Sequence, residues 1–337
     1  MSEVAVRCGL DIAKHVFALH AVNKHGKTVL KKQLQGKSVL RFFAQYPACT
    51  IGIEACGGSH YWARELTKLG HEVKLIAVKF VIPYRRHGKN DANDAEAICE
   101  AISRPGMRFV SVKSEDQQAI LMAHRVRSQS IATRTSLINQ LHGHLQECGI
   151  VVSKGRHRLK QDLAHLLEGT DLPDTLYTLI HELLAGLLRE EERIESLDRL
   201  IKDWAQAHPI ALKLMAMEGI GPLTASAVVA TAGNASVFKN GRQFSAWLGL
   251  VPRQNSSGGK QKLGRITKQG DSYVRMLLIH GARTVLLMST KGRGKHSQWI
   301  ESLRERKHDN VVAVAFAAKQ ARMLWTVMSG KSELSQG

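Results

Sequence analysis

Short runs of alternating apolar and polar residues fill the first third of the chain and predict strands separated by helices. The first three predicted strands follow one another through short polar turns, which favours an antiparallel meander. Strands are predicted at 4–10, 16–22, 28–34, 50–54 and 72–78, and helices at 38–46, 59–69 and 91–103. This order of elements indicates a mixed α/β domain over residues 1–112.

The middle of the chain, residues 113–207, has the periodicity of long helices. One helix is predicted at 114–147, and a linker is predicted near 149–172, where glycine and proline recur. Beyond it, apolar residues follow alternating steps of four and three, with Glu190 occupying one position, at Leu176, Ile180, Leu183, Leu187, Ile194, Leu197 and Ile201. Such a heptad seam is typical of a coiled coil between chains, but also of a helical hairpin or bundle within one chain.

Residues 208–330 are predicted to form a mainly α-helical domain, which one glycine-rich loop at 252–264 interrupts. Two apolar helices flank Gly219-Ile220-Gly221, a pattern that predicts a helix-hairpin-helix. The N–H groups that open the second helix of such a motif can bind a phosphate. The alternative is an ordinary corner between two packed helices.

The charge of the chain favours a polyanionic partner. Its 337 residues include 48 Lys and Arg against 29 Asp and Glu, a formal net charge of +19. Basic side chains that neutralise phosphates release counterions, so this excess favours nucleic acid. The odd number of cysteines without a CxxC pair predicts reduced thiols in a cytoplasmic chain. No apolar run approaches the roughly 18 residues of a membrane span, so we expect no membrane partner.

Four acidic residues stand out against this basic background. Asp11 directly follows one predicted strand, Glu54 is the last residue of another, and Asp91 and Asp94 lie one turn apart at the start of a predicted helix. Clustered carboxylates repel phosphate unless a divalent cation lies between them, and their oxygens suit Mg²⁺ or Mn²⁺. The pattern therefore predicts a metal site for phosphoryl transfer. The alternative is that each acid only caps a helix or a turn, with Asn90 or Asp91 as an N-cap.

A second chemical feature is the pair Ser256-Ser257, which precedes two glycines in the basic loop at 252–264. A serine in such a loop suits a nucleophile that faces phosphate, or a phosphate cradle. The alternative is a solvated loop without chemistry. The predicted nucleic-acid contacts are Gly219, Gly221, Arg253, Lys260, Lys262, Arg265, Lys268 and Arg275.

In order and spacing these motifs resemble the transposases of the insertion-sequence-110 family, including its Piv-type invertases, over nearly the whole chain. The motifs that carry the resemblance are Gly9–Lys14, Glu54–Gly58, Lys89–Ala95, Gly219–Gly221, Gly249–Pro252, Ser257-Gly258 and Gly264–Asp271. The resemblance implies an RNase H-like (RuvC-like) DEDD domain in which Asp11, Glu54, Asp91 and Asp94 bind Mg²⁺ or Mn²⁺. It also implies a catalytic serine, which matches Ser257 best, with Ser256 one residue away.

The implied activity is that of an RNA-guided DNA transposase or recombinase. It would cut and rejoin strands through a covalent phosphoserine, and a non-coding RNA of the element would pair with element and target DNA. A homo-oligomer, dimer or tetramer, is expected, with the acids and the serine meeting within one chain or across two. Two alternatives stay open: a metal-dependent junction endonuclease that uses water, and a nucleic-acid-binding protein without catalysis.

Overall fold

The computed structural model describes residues 5–85, 88, 90–152, 172–256, 258 and 260–331. Packing divides the chain into an N-terminal unit, Met1–Ser114, and a C-terminal unit, Glu115–Gly337. The predicted helical region and the predicted C-terminal domain lie within the same unit. The division of the chain into three domains stays a prediction.

The N-terminal unit is a six-stranded mixed sheet with helices against its faces. Its order is β3-β2-β1-β4-β5-β6, with β1, β4 and β5 parallel to one another and the other pairings antiparallel. The strands are β1 (Arg7–Asp11), β2 (Val16–Val22), β3 (Thr28–Gln35), β4 (Thr50–Glu54), β5 (Glu72–Ile76) and β6 (Phe109–Val110). The helices are α1 (Val39–Ala44), α2 (Ser59–Lys68), α3 (Val78–Val81) and α4 (Asp91–Ala101).

This sheet confirms the predicted mixed α/β order and the antiparallel meander at its start. The structure corrects several details. The first strand, predicted at 4–10, is β1 at Arg7–Asp11, and the short helix α3 was not predicted. The predicted strand at 72–78 ends at Ile76, because Val78 already begins α3. The two-residue strand β6 was not predicted, because a pair of residues shows no alternation that a sequence pattern could reveal.

Two glycines let α4 lie directly on the sheet. Gly9 of β1 and Gly52 of β4 are paired in register. A Cβ added at Gly9 would fall 2.6 Å from the amide nitrogen of Cys99, and still closer to the carbonyl oxygen of Ala95, both in the α4 backbone. A Cβ at Gly52 would overlap the side chain of Ile98, also on α4. The missing side chains on neighbouring strands therefore make the groove in which α4 lies.

The described part of the C-terminal unit is helical apart from one hairpin. Its helices are α5 (Glu115–Glu147), α6 (Asp174–Ala207), α7 (Pro209–Met215), α8 (Pro222–Ala232), α9 (Gly241–Trp247), α10 (Ser272–Ser289), α11 (Ser297–Arg304) and α12 (Asp309–Met328). The strands β7 (Pro252–Gln254) and β8 (Leu263–Ile266) pair antiparallel. The predicted loop at 252–264 is therefore the tip and much of the two strands of a β-hairpin.

The apolar face predicted as a heptad seam packs against another helix of the same chain. Ile180 and Leu187 of α6 are buried against Leu141 and Leu145 of α5, and near the other end of the pair Ile201 packs with Ile120. The two long helices form an antiparallel hairpin, which is one of the two predicted alternatives for the seam. Ile150 and Val152, which follow α5, are buried in the same hydrophobic core as the hairpin. The start of the predicted linker at 149–172 therefore packs against the two helices. Residues 153–171 lie outside the described part.

One described helix, α12, is long and apolar enough to span a membrane by length and composition alone. Its residues Phe316, Ala317, Ala321 and Leu324 are buried in the core of the C-terminal unit. This burial is that of a core helix in a folded domain.

A buried histidine ties three helices of the C-terminal unit together. His124 of α5 is 2% exposed, and its two ring nitrogens lie 3.0 Å from the Tyr273 hydroxyl of α10 and 3.0 Å from the Ser226 hydroxyl of α8. Burial, with a smaller contribution from the charge of Arg127, lowers the pKa of His124 from 6.5 to about 4. The ring is therefore neutral in the folded protein at physiological pH.

We expect this histidine to make the protein less stable in mild acid. The unfolded chain takes up a proton at His124 below pH 6.5, whereas the folded chain resists protonation until about pH 4. The unfolding free energy should fall across that window, by about 3 kcal/mol in total. Chemical denaturation between pH 7.5 and 4.5 measures it. The stability gap between wild type and His124→Gln should shrink as the pH falls, whereas replacing the exposed His280 should leave the profile unchanged. Parallel profiles for wild type and His124→Gln would contradict the prediction.

Candidate active site

Asp11 and Glu54 lie at the ends of two adjacent parallel strands. Asp11 ends β1 and Glu54 ends β4, one residue past the paired residues Leu10 and Ile53. Side chains alternate between the two faces of a strand, so Asp11 shares the face of Gly9, and Glu54 that of Gly52. This is the face on which α4 lies. Strand alternation therefore directs both carboxylates to the side of the sheet that the helix covers.

The other two acids are carried by α4 itself. Asn90 is the N-cap of this helix, and its side-chain oxygen accepts a hydrogen bond from the Asn93 amide at 2.8 Å. Asn90, one of the two candidates, therefore has the capping role, and Asp91 and Asp94 fall in the first turn. Asp94 is buried and Asp91 is exposed. Because Gly9 and Gly52 admit the helix so closely, its first turn reaches the strand ends.

The electrostatics of Asp11 show that the four carboxylates are neighbours. The pKa of Asp11 is raised from 3.8 to about 6, first by burial and then by the negative charges of Asp94, Asp91 and Glu54. Arg85 acts in the opposite direction and lowers it. Acids crowded in this way repel one another, and Arg85 offsets part of that repulsion.

The donor set suits a hard divalent cation in kind, because all four groups are carboxylates. Among the described residues, no three His, Cys, Asp or Glu side chains are already arranged to hold a metal ion. One contact accounts for part of this: the guanidinium of Arg85 donates from Nε to Oδ1 of Asp94. A cation that binds here would therefore find Asp94 already in an ion pair with Arg85. The metal role of Asp11, Glu54, Asp91 and Asp94 stays a prediction.

Arg85 is the residue of this site that sequence reasoning missed. It follows a 3-10 turn, Ile82–Tyr84, and lies nine positions before its partner Asp94. A basic residue shortly before an acidic motif is the only signal that the sequence offered. In so basic a chain that signal does not distinguish it from other arginines.

Ser256, the first serine of the doublet, follows β7 by two residues. The amide of Asn255 donates to the carbonyl of Lys262 at 2.9 Å and continues the pairing towards the tip. The hydroxyl of Ser256 accepts from Nε2 of Gln254 at 3.0 Å and from the Lys262 amide at 3.4 Å. Ser256 thus has hydrogen-bond partners inside the hairpin. Ser257 lies outside the described residues.

Most of the predicted nucleic-acid contacts lie on this hairpin or directly after it. The side chains that the structure leaves exposed there are Arg253, Lys260, Lys262, Arg265 and Lys268. Arg275 is different, because its guanidinium donates to the carbonyls of Leu248 and Gln269, both at 3.0 Å. It clamps the end of α9 to the segment before α10, and this structural role was not predicted. Whether Arg275 also contacts nucleic acid stays a prediction.

The two glycines of the predicted helix-hairpin-helix have different surroundings. Gly219 has φ +75°, and a Cβ there would fall 2.7 Å from both the carbonyl oxygen of Gly281 and the side chain of Val285 on α10. It is therefore needed for close packing of the turn against that helix. Gly221 caps the exposed start of α8 and has open space around it. Phosphate binding by this turn stays a prediction.

Comparison with known proteins assigns the chain to a family. Residues 8–150 match the transposase domain model DEDD_Tnp_IS110, and residues 211–297 match a model described as "Transposase IS116/IS110/IS902 family". The chain is 48% identical to a "Probable family 20 transposase" of Pseudomonas aeruginosa over 326 aligned residues. This alignment covers 96% of each protein. The chain is 40% identical to the transposase for insertion sequence element IS1328 of Yersinia enterocolitica, over 95% of each. It is 36% identical to the transposase for insertion sequence element IS1111A of Coxiella burnetii, over 95% of this chain and 89% of the relative.

Both family models, and the relatives that match nearly end to end, lead to the same conclusion. The expected resemblance is confirmed, and the six-stranded mixed sheet with α4 on its face is consistent with an RNase H-like DEDD domain. The chain belongs to the IS110/IS116/IS902 family of insertion-sequence transposases, a class of protein that acts by cutting and rejoining DNA.

Proposed function

We propose that this transposase cuts and rejoins DNA by two successive transesterifications, with Ser257 as the nucleophile of the first and divalent cations held by Asp11, Glu54, Asp91 and Asp94. The observation that carries the metal part is the gathering of carboxylates at the strand ends, where burial, and then the charges of Asp94, Asp91 and Glu54, raise the pKa of Asp11 to about 6. A site built only to hold the fold together would gain nothing from four acids so close together. A cation bound there would supply charge neutralisation for the scissile phosphate and the departing oxygen.

The chain's own groups then carry the chemistry. The Ser257 hydroxyl attacks the phosphorus, a P–O bond to Oγ forms, the P–O bond to the leaving strand breaks, and the departing oxygen takes up a proton. A hydroxyl of the other strand later attacks the same phosphorus, restores a phosphodiester and returns the proton to Ser257. Because the bond is exchanged and not hydrolysed, no nucleotide cofactor is needed. Exposed Lys262 and Arg265 on the same hairpin are suited to hold the phosphate during both steps.

The hydrogen bonds of Ser256 support the choice of Ser257 over Ser256. The Ser256 hydroxyl already accepts two hydrogen bonds from its own hairpin, which suits a structural role. We therefore propose that its neighbour in sequence, which the family resemblance also favours, supplies the nucleophile. We propose that the serine and the carboxylates act on the same phosphodiester, within one chain or across two.

The guide RNA and the oligomer belong to the same proposal. The net charge of +19, with a row of exposed basic side chains on the hairpin, suits two nucleic acids held through their backbones. Aromatic residues are 5% of the chain, few for a protein that stacks unpaired bases. A homo-oligomer, dimer or tetramer, would supply the several active sites that paired strand exchanges require, and Mg²⁺ or Mn²⁺ is the proposed cation.

A covalent-adduct assay tests this function. The full-length protein is incubated with labelled DNA that spans an element end, together with RNA transcribed from the element's non-coding segment. We expect a labelled adduct that resists denaturing detergent, forms with Mg²⁺ or Mn²⁺, and disappears with a chelator. Phosphopeptide mapping should place the label on Ser257.

The two alternatives give different results in the same assay. Metal-dependent scission without any adduct would favour a hydrolytic junction endonuclease that uses the four carboxylates and water. Binding without scission in any metal would favour a nucleic-acid-binding protein. Either result would overturn the proposed serine chemistry.

A further inference from the structure

The ion pair between Arg85 and Asp94 lies inside the candidate metal site. The Arg85 side chain is 21% exposed and that of Asp94 is 11% exposed, so water screens this pair poorly. The pair thus differs from surface ion pairs on the same unit, such as that of Lys31 with Glu96, where the side chains are 59% and 40% exposed. A poorly screened charge pair of this kind is costly to break unless another cation takes its place.

Arg85 is placed to offset the charge of the whole cluster. Its guanidinium binds Asp94 directly, and its charge also reaches Asp11, the acid at the end of β1. Among the described residues, Arg85 therefore neutralises Asp94 and offsets part of the negative charge around Asp11.

The two cations compete for the same carboxylate. The Oδ1 atom of Asp94 accepts the Arg85 Nε–H, and a metal coordinated by Asp94 draws on the same negative charge. A guanidinium and a divalent ion within one cluster of ligands also repel each other at close range. The paired guanidinium therefore opposes metal binding at Asp94.

We propose that Arg85 is an internal counter-ion, which neutralises Asp94 while the site holds no metal and is displaced when a divalent cation binds. The inference rests on the proposed metal role of the four carboxylates. Arg85 sets the affinity of the site for metal by competition. Once displaced, its planar fork of N–H donors is free beside the cation, where it can bind a phosphate oxygen.

Mn²⁺ binding to the full-length protein tests the inference, with free Mn²⁺ followed by electron paramagnetic resonance. Removing the competitor in Arg85→Gln should tighten Mn²⁺ binding about tenfold, the equivalent of one charge-assisted contact. Arg85→Lys keeps a positive charge and should stay closer to wild type. The matched control is Arg104→Gln, because Arg104 pairs with Glu100 at the far end of α4, away from the four carboxylates. This control should bind Mn²⁺ as wild type does.

A thermal measurement gives a second readout. Without metal, Arg85→Gln should unfold at a lower temperature than wild type, because the half-buried charge that pairs with Asp94 is then missing. Added Mn²⁺ should raise its midpoint more than that of wild type or Arg104→Gln. If Arg85→Gln binds Mn²⁺ no more tightly than wild type, Arg85 is not a competitor and the inference is wrong. If wild type itself binds no Mn²⁺ up to millimolar concentration, the proposed metal site fails, and the inference fails with it.

Discussion

Replacing Ser257 by alanine should eliminate both the covalent protein–DNA adduct and strand exchange. The nucleophile of a transesterification cannot be replaced by the four carboxylates, which hold cations but form no bond to phosphorus in the proposed reaction. We expect strand exchange to fall by roughly 10³-fold or more, as when other enzymes lose a nucleophile. DNA binding should be unaffected, because the basic side chains of the hairpin remain. The measurement is the adduct assay together with a binding titration.

Ser256→Ala is the matched control for this prediction. It removes a hydroxyl from the adjacent position of the same hairpin, where it accepts hydrogen bonds from Gln254 and Lys262. Loosening that tip should lower the rate about tenfold at most and leave the adduct in place. If Ser256→Ala loses the adduct while Ser257→Ala retains it, the nucleophile is Ser256. If both variants retain it, neither serine is the nucleophile.

Gly9→Ala should be among the most damaging substitutions in the N-terminal unit. The new methyl group would lie within 3.0 Å of two backbone atoms of α4, the Ala95 oxygen and the Cys99 nitrogen, and the backbone cannot rotate away as a side chain can. Either α4 moves outward or the strand bends, at a cost of about 3 kcal/mol. Because α4 carries Asp91 and Asp94, the same displacement should also weaken Mn²⁺ binding. Thermal unfolding and the Mn²⁺ titration measure the two effects.

Gly57→Ala is the control for this substitution. Gly57 follows Glu54 closely in the chain, and an added Cβ there meets nothing within 4 Å. This variant should keep the wild-type midpoint and bind Mn²⁺ normally. The prediction for Gly9 is wrong if Gly9→Ala unfolds at the same temperature as Gly57→Ala.

The sheet and its acidic residues could be predicted because both depend on patterns between residues that are close together in the sequence. In β1, Cys8 and Leu10 are buried on one face while Gly9 and Asp11 take the other, which is the alternation that a strand requires. The strand at 50–54 was predicted with the bounds of β4. Asp91 and Asp94 were placed in the first turn of a helix because the spacing of three residues defines a shared face.

The rest depended on contacts that no local pattern records. The strands β7 and β8 are largely exposed and carry no apolar alternation, so their hairpin was predicted as a loop. The heptad seam gave the buried face of α6, but its partner could equally have been a second chain. The pairing of Arg85 with Asp94 depends on the direction that the preceding 3-10 turn gives to the Arg85 side chain. The hydrogen bond of Arg275 to the end of α9 depends on how two separate helices pack.

The base of the β7–β8 hairpin is held to the neighbouring helical domain by hydrogen bonds and close packing that do not involve the tip. The Thr267 amide donates to the Val251 carbonyl and the Lys268 amide to that of Gly249, while Gly270 lies against the backbone of Trp247 too closely for any side chain. Both ends of the segment are thus secured to the helical domain, independently of the residues between them. Natural variation can therefore lengthen, shorten or rewrite that stretch without unsettling the core. An engineer could transplant it from one element's enzyme into another as a self-contained cassette.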